Sequence, residues 1–125
     1  MQGVKELVLV VDDDKLTLSL MTEILGEAGY QVETASGGRQ AMEQVNRRVP
    51  DVVLLDLAMP RMDGYSLAQE LRRQVSKKLL ILALTGRPSS DWPRAEKAGF
   101  DGWIQKPFEV SELLASLGRY TAQAS

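Results

Sequence analysis

The stretch Leu7-Val8-Leu9-Val10-Val11-Asp12-Asp13-Asp14 runs five apolar residues straight into three carboxylates. Its first half reads as a strand covered on both faces, because no polar residue alternates with the apolar ones. Its second half poses an electrostatic problem. Two like charges about 4 Å apart repel by roughly 4 kcal/mol at the effective dielectric of a protein surface. Such a cluster is either well hydrated or balanced by something positive, which the rest of the chain has to supply.

Outward from this stretch, strand-like runs at 7–11, 30–34, 51–55, 79–84 and 102–105 alternate with segments of helical period. Three of the five runs are continuously apolar. Leu16, Leu20, Ile24 and Ala28 recur at four-residue spacing and stop at Gly29, a residue suited to a helix C′ position. Ala41 and Val45 mark a short second helix with Ser36 as its N-cap. Tyr65, Ala68 and Leu71 mark a third after Asp63-Gly64, and residues 95–98 end a fourth before Gly99. Val110, Leu113, Leu114 and Leu117 mark the last. Pro93 is tolerated only near a helix start, so the fourth helix is expected to begin around Asp91 or later. Trp92 then falls in a Pro-rich loop, partly exposed or touching a partner. Five β/α repeats without a linker predict one doubly wound α/β domain, a parallel sheet with helices on both faces.

Composition narrows the chemistry. At 125 residues, 44% hydrophobic and 26% charged, the chain is one globular domain able to bury about two thirds of its unfolded surface. A net charge of −2 creates no strong field for nucleic acid or anionic lipid, so no direct nucleic-acid partner is expected. The apolar run at 79–84 is too short to span a bilayer, and no charged-then-apolar leader opens the chain. With no cysteine there are no disulfides or thiolate metal sites, which fits a cytoplasmic setting. With no histidine there is no Ser-His or Cys-His pair, no imidazole ligand and no phosphohistidine on this chain. Any reaction must run on carboxylates, lysine, hydroxyls and backbone.

Open parallel sheets bind ligands beyond the carboxyl ends of their strands. There the sequence places Asp12-Asp13-Asp14, then Asp56, then Thr85-Gly86, then Lys106-Pro107. Asp14 reads as a cap for the helix that follows. Asp12 and Asp13, with Asp56 on the same edge, suit Mg²⁺, which takes oxygen ligands and keeps several waters. A lone aspartate after a strand is usually a loop or cap residue. Beside a cation and a lysine, however, Asp56 can attack phosphorus while Lys106 offsets developing charge.

These residues resemble the receiver domain of bacterial response regulators. The landmarks "LVLVVDDD", "PDVVLLDLAMPRMDGYSLAQELR", "LALTG" and "AGFDGWIQKPF" occur in order at suitable spacing and cover nearly the whole chain. The resemblance implies a flavodoxin-like strand order 2-1-3-4-5 with five helices, a core at about 5–119 and a tail at 120–125. It implies that Asp56 accepts a phosphoryl group from a histidine kinase or a histidine phosphotransfer protein. Asp12, Asp13, Asp56 and the backbone carbonyl of Ala58 would hold Mg²⁺. Lys106 would pair with the phosphoryl group across a cis bond to Pro107, Thr85 would be the switch hydroxyl, and Trp103 the switch aromatic. Ala58 and Arg87 stand where side chains tune loss of the phosphoryl group. No effector segment follows the last helix, so a stand-alone regulator or an excised receiver is expected, with a lean toward the receivers of hybrid sensor kinases. The output partner is not identified by these residues. A second class competes: a small Mg²⁺-dependent phosphatase of the haloacid-dehalogenase type, for which "DDDKLT" offers spaced aspartates but which leaves Asp56 unexplained.

Overall fold

The run at 7–11 forms a strand buried at all five positions, as an unbroken apolar segment between two layers must. A computed structural model describes residues 6–59, 63–75 and 78–124. In chain order the elements are β1 (Leu7–Val11), α1 (Lys15–Glu27), β2 (Gln31–Ala35), α2 (Gly38–Arg47), β3 (Val52–Asp56), α3 (Gly64–Gln74), β4 (Leu80–Thr85), α4 (Pro88–Ala98), β5 (Gly102–Gln105) and α5 (Val110–Ala124). The strands form one sheet in the order β2-β1-β3-β4-β5, and every pairing is parallel. This is the expected doubly wound, flavodoxin-like arrangement.

Alternation along the central strands divides the core into two layers. Leu9, Val11, Val53, Leu55, Ile81 and Ala83 face α2, α3 and α4, where they meet Ala41, Val45, Leu67, Leu71 and Ala95. Val8, Val10, Val52, Leu54, Leu82 and Leu84 face α1 and α5, where they meet Leu18, Met21, Leu25, Leu113 and Leu117. Each such side chain contributes about 1.5–3 kcal/mol by leaving water. A polar residue inside β1 or β3 would therefore spoil one layer whichever way it pointed.

Several local expectations are corrected. The stripe Leu16, Leu20, Ile24, Ala28 lies only in part on the buried face of α1, where Ile24 and Ala28 pack against the core. Leu16 and Leu20 are 66% and 50% exposed, while Leu18, Met21 and Leu25 face the sheet. Strict four-residue spacing drifts around a helix of 3.6 residues per turn, and the mixed three- and four-residue spacing of the second set stays on one face. Gly37, not Ser36, is the N-cap of α2, without a side-chain cap bond; Gln40 instead reaches back, its Oε1 accepting from the Ser36 amide at 2.6 Å and hydroxyl at 3.1 Å. Helix α4 begins at Pro88 and carries Pro93 in its interior. Pro88 supplies the pre-set first helical position. The carbonyl that Pro93 leaves without a donor belongs to the exposed Ser89 and can stay hydrated. Asp56 and Thr85, by contrast, end β3 and β4 as expected. Helix α5 continues through residues read as a tail, because Thr121 is buried and Tyr120 packs on the α1/α5 layer.

Two ties hold the far parts of the fold together. Arg72 of α3 donates from Nε to the Gly99 carbonyl at 2.8 Å, and from its terminal nitrogens to the Leu79 carbonyl and the Asp101 carboxylate. Gly99 has φ 106°, and a Cβ there would lie 2.8 Å from Arg72 Cγ, so both conformation and space require glycine. At the sheet edge, the Tyr120 hydroxyl accepts from the Trp103 amide and donates to its carbonyl, both at 3.3 Å. It lies where a Cβ on Gly102 would stand, so the edge strand is covered by α5.

Candidate functional site

Strand register brings the candidate residues to one edge. Val11 pairs with Leu55 and Asp56 with Leu84, so Asp12, Asp56 and Thr85 end three neighbouring strands. Thr85 pairs with Gln105, which sets Lys106 one residue beyond. Asp12, Asp56 and Thr85 are 4%, 7% and 3% exposed. These are buried polar groups in an otherwise apolar sheet, and each must be satisfied.

Asp56 is satisfied from two sides. Its Oδ1 accepts from Lys106 Nζ at 2.9 Å and from the Ala58 amide at 2.8 Å. Lys106 precedes a cis peptide bond to Pro107. Asp12 accepts at Oδ1 from the Asp14 amide at 2.9 Å, and its own amide donates to the Ala35 carbonyl. Burial, against the pull of the Asp14 amide and together with the adjacent Asp56 carboxyl, pushes the Asp12 carboxyl from an ordinary 3.8 up to about 6. Lys106 pulls the other way but does not cancel the effect. The opening electrostatic problem is thus only half answered by the protein itself: one ammonium faces two buried carboxyl groups.

Asp14 has a separate job. It caps α1, accepting from the Leu16 amide at 3.2 Å and the Thr17 hydroxyl at 2.7 Å. Those bonds hold its carboxyl below the usual range, the Thr17 hydroxyl most strongly. It is therefore turned away from the Asp12–Asp56 pair, and the three consecutive aspartates divide into a pair member, a half-buried Asp13 and a cap. Among the described residues no three acidic side chains form a ready-made cation cage. The donor set nevertheless fits a hard, water-retaining cation: two adjoining carboxyl groups short of positive charge, with Asp13 beside them at the strand tip.

Thr85 is placed at this edge, but its hydroxyl is engaged by Asp91 and the Arg87 amide. It donates to Asp91 Oδ2 at 2.5 Å and accepts from the Arg87 amide at 2.9 Å. Trp103 is 38% exposed, with its ring 4.9 Å from that of Trp92. Trp92 is half-buried on α4 and packs against the core, a helix residue rather than a loop residue. Arg94 stacks over Tyr65 at 4.0 Å. Between them and Lys106 opens a hollow of about 410 Å³, lined also by Ala58, Thr85, Arg87 and Asp91. Asp91 is the residue that sequence reasoning missed. It stands six positions from Thr85 across a turn, and no spacing rule pairs them. Pro60, Arg61 and Met62 of the second landmark lie outside the described residues, as do the first five residues and Ser125.

A parallel α/β domain whose strand tips present buried carboxyls, a lysine and a hydroxyl is a phosphate-handling architecture. The model of the response regulator receiver domain matches residues 8–118, and the chain belongs to that family. It is 40% identical over 111 residues to "Response regulator MprA" of Mycolicibacterium vanbaalenii, covering 88% of this chain and 48% of that protein. It is 36% identical over 113 residues to "Probable transcriptional regulator ycf27" of Guillardia theta, covering 90% and 44%. The chain thus spans about half the length of these curated relatives. Among solved structures, the chemotaxis response regulator CheY4 of Vibrio cholerae superposes with a TM-score of 0.83 at 35% identity, covering 90% of this chain and 96% of that one. The family supports phosphorylation-controlled signalling. The phosphatase alternative is set aside, since Asp14 serves as a helix cap and the family match takes in both Asp56 and the acidic edge.

Proposed function

We propose that this domain accepts a phosphoryl group on Asp56 from the phosphohistidine of a partner kinase or phosphotransfer protein, and that the transfer resets the β4–α4–β5 surface toward an output partner. The observation that carries this reading is the pairing of Lys106 Nζ with Asp56 Oδ1 at 2.9 Å at the tip of a buried strand. A carboxylate oxygen of Asp56 attacks phosphorus, the phosphorus–nitrogen bond of the donor breaks, and the imidazole leaves with the electron pair and takes a proton. Lys106 follows the charge onto the phosphoryl oxygens. The Ala58 amide, 2.8 Å from Oδ1, orients the acceptor. Thr85 then turns its hydroxyl to a phosphoryl oxygen, and Trp103 changes environment with it.

Asp12, Asp13, Asp56 and the Ala58 carbonyl would hold Mg²⁺, which supplies charge neutralisation and orientation of the transferring oxygens when bound. Among the described residues no helix is long and apolar enough to cross a membrane, and we place the domain in the cytoplasm beside its kinase. The output lies with a separate partner or with further sequence of the kind that makes up the other half of the curated relatives. Incubation with Mg²⁺ and a small acyl phosphate tests the assignment. The intact mass should rise by one phosphoryl group, and Asp56→Asn should abolish the gain while remaining folded. Labelling of Asp56→Asn at the wild-type level would overturn it.

A further inference from the structure

The Thr85 hydroxyl has one proton to donate, and Asp91 holds it. The bond to Asp91 Oδ2 is 2.5 Å, the length of a charge-assisted O–H···O⁻ contact, and Thr85 is 3% exposed. Thr85 Oγ1 also accepts from the Arg87 amide, so the side chain is pinned from both sides. Thr85 therefore cannot serve Asp91 and a phosphoryl group on Asp56 at once.

Asp91 is also tied into the start of α4. Its amide donates to the Arg87 carbonyl at 3.0 Å, within the first turn of a helix that begins at Pro88. The next residue, Trp92, carries the ring that meets Trp103. Asp91 and Trp92 thus engage, from one helical turn, both groups that the proposed switch moves. An acidic residue in a first turn favours the helix dipole without any side-chain partner. Here the carboxylate is spent on a buried hydroxyl of the neighbouring strand.

We propose that Asp91 is a positioning residue that latches Thr85 away from Asp56 in the unphosphorylated domain, so that phosphoryl capture requires this bond to break and thereby frees the first turn of α4. The inference rests on the receiver reading above. It makes the resting population a property of one carboxylate: weakening the acceptor raises the share of molecules in the capture-competent state, and apparent affinity for a phosphoryl group rises in proportion.

The test uses beryllofluoride with Mg²⁺ as the phosphoryl probe on the full chain, titrated into wild type, Asp91→Ala and Asp91→Asn, with amide spectra as the readout. Asp91→Ala should bind at least about tenfold more tightly, the ratio set by one hydrogen bond to a charged acceptor. Asp91→Asn keeps a neutral acceptor oxygen and should fall between Ala and wild type, and it remains a test should the alanine variant fail to fold. In a Thr85→Val background, Asp91→Ala should change affinity no further. Equal or weaker binding by both Asp91 variants, or the same gain with and without the Thr85 hydroxyl, overturns the latch and leaves Asp91 a helix-start residue. Failure of wild type itself to bind the probe overturns the receiver reading, and the latch with it.

Discussion

Replacing Asp12 by Asn should stabilise the metal-free domain, and by an amount that depends on pH. Asp12 is 4% exposed, and burial with the adjacent Asp56 carboxyl raises its folded-state pKa from 3.8 to about 6. The folded protein therefore holds this proton more tightly than the unfolded chain. Stability from Asp12 is fully present below about 3.8 and is lost as pH rises through about 6. Each pH unit across that interval removes about 1.4 kcal/mol, so the loss by neutral pH is about 3 kcal/mol. Asparagine matches the protonated acid in shape and never ionises. In EDTA, the stability of Asp12→Asn minus wild type should climb from near zero at pH about 4 to about 2–3 kcal/mol above pH about 7. With a urea m-value of about 1–3 kcal/mol/M, the midpoint rises by about 0.7–3 M. Asp14→Asn is the control; its carboxyl is held low by the cap, and its difference should stay flat over the same interval. A flat Asp12→Asn difference, or a variant less stable than wild type at neutral pH, would refute the claim that the acidic pair strains the resting fold.

Mg²⁺ at about ten times its dissociation constant should stabilise the wild type by roughly 1.4 kcal/mol, about 3–6 °C in melting temperature. Asp13→Ala should remove most of that gain; an equal shift from sodium chloride at matched ionic strength would reduce it to screening. Gly102→Ala places a Cβ 2.3 Å from the Tyr120 hydroxyl oxygen and should cost about 1–3 kcal/mol. Tyr120→Ala in the same chain should recover part of the loss, whereas additive losses in urea melts would show that the two residues do not collide. Arg72→Leu takes the donor from the Leu79 and Gly99 carbonyls and leaves the Asp101 carboxylate its bond from the Ile81 amide, and should cost about 2–4 kcal/mol. Amide exchange would then speed up around β4 and β5, and unchanged exchange there would remove Arg72 as the tie between α3 and the sheet.

The sheet is legible in the sequence because a doubly covered strand has no polar face. The runs of β1, β3 and β4 need no partner to be read, and the polar residues that end them, Asp12, Asp56 and Thr85, mark one edge of the sheet. Lys106 and Asp56 are legible for the same reason, although 50 residues separate them. Helix faces are less so. The exposed Leu16 and Leu20 match a helical period as well as the buried Leu18 and Met21 do, and only the position of the sheet chooses between them. Helix α4 is obscured by Pro93, whose cost depends on whether the carbonyl it orphans can meet water. The pairing of Thr85 with Asp91 is not written in any periodicity, because it depends on how tightly the turn at Gly86 and Arg87 folds back.

The chemical nature of the phosphorylated site bears most directly on the receiver mechanism. After labelling with Mg²⁺ and an acyl phosphate, peptide mass spectrometry should find the phosphoryl group on the segment containing β3, and hydroxylamine should remove it, as it does from an acyl phosphate on Asp56. A hydroxylamine-resistant phosphoryl group on Thr85 or any serine, with the β3 peptide unmodified, would contradict the mechanism.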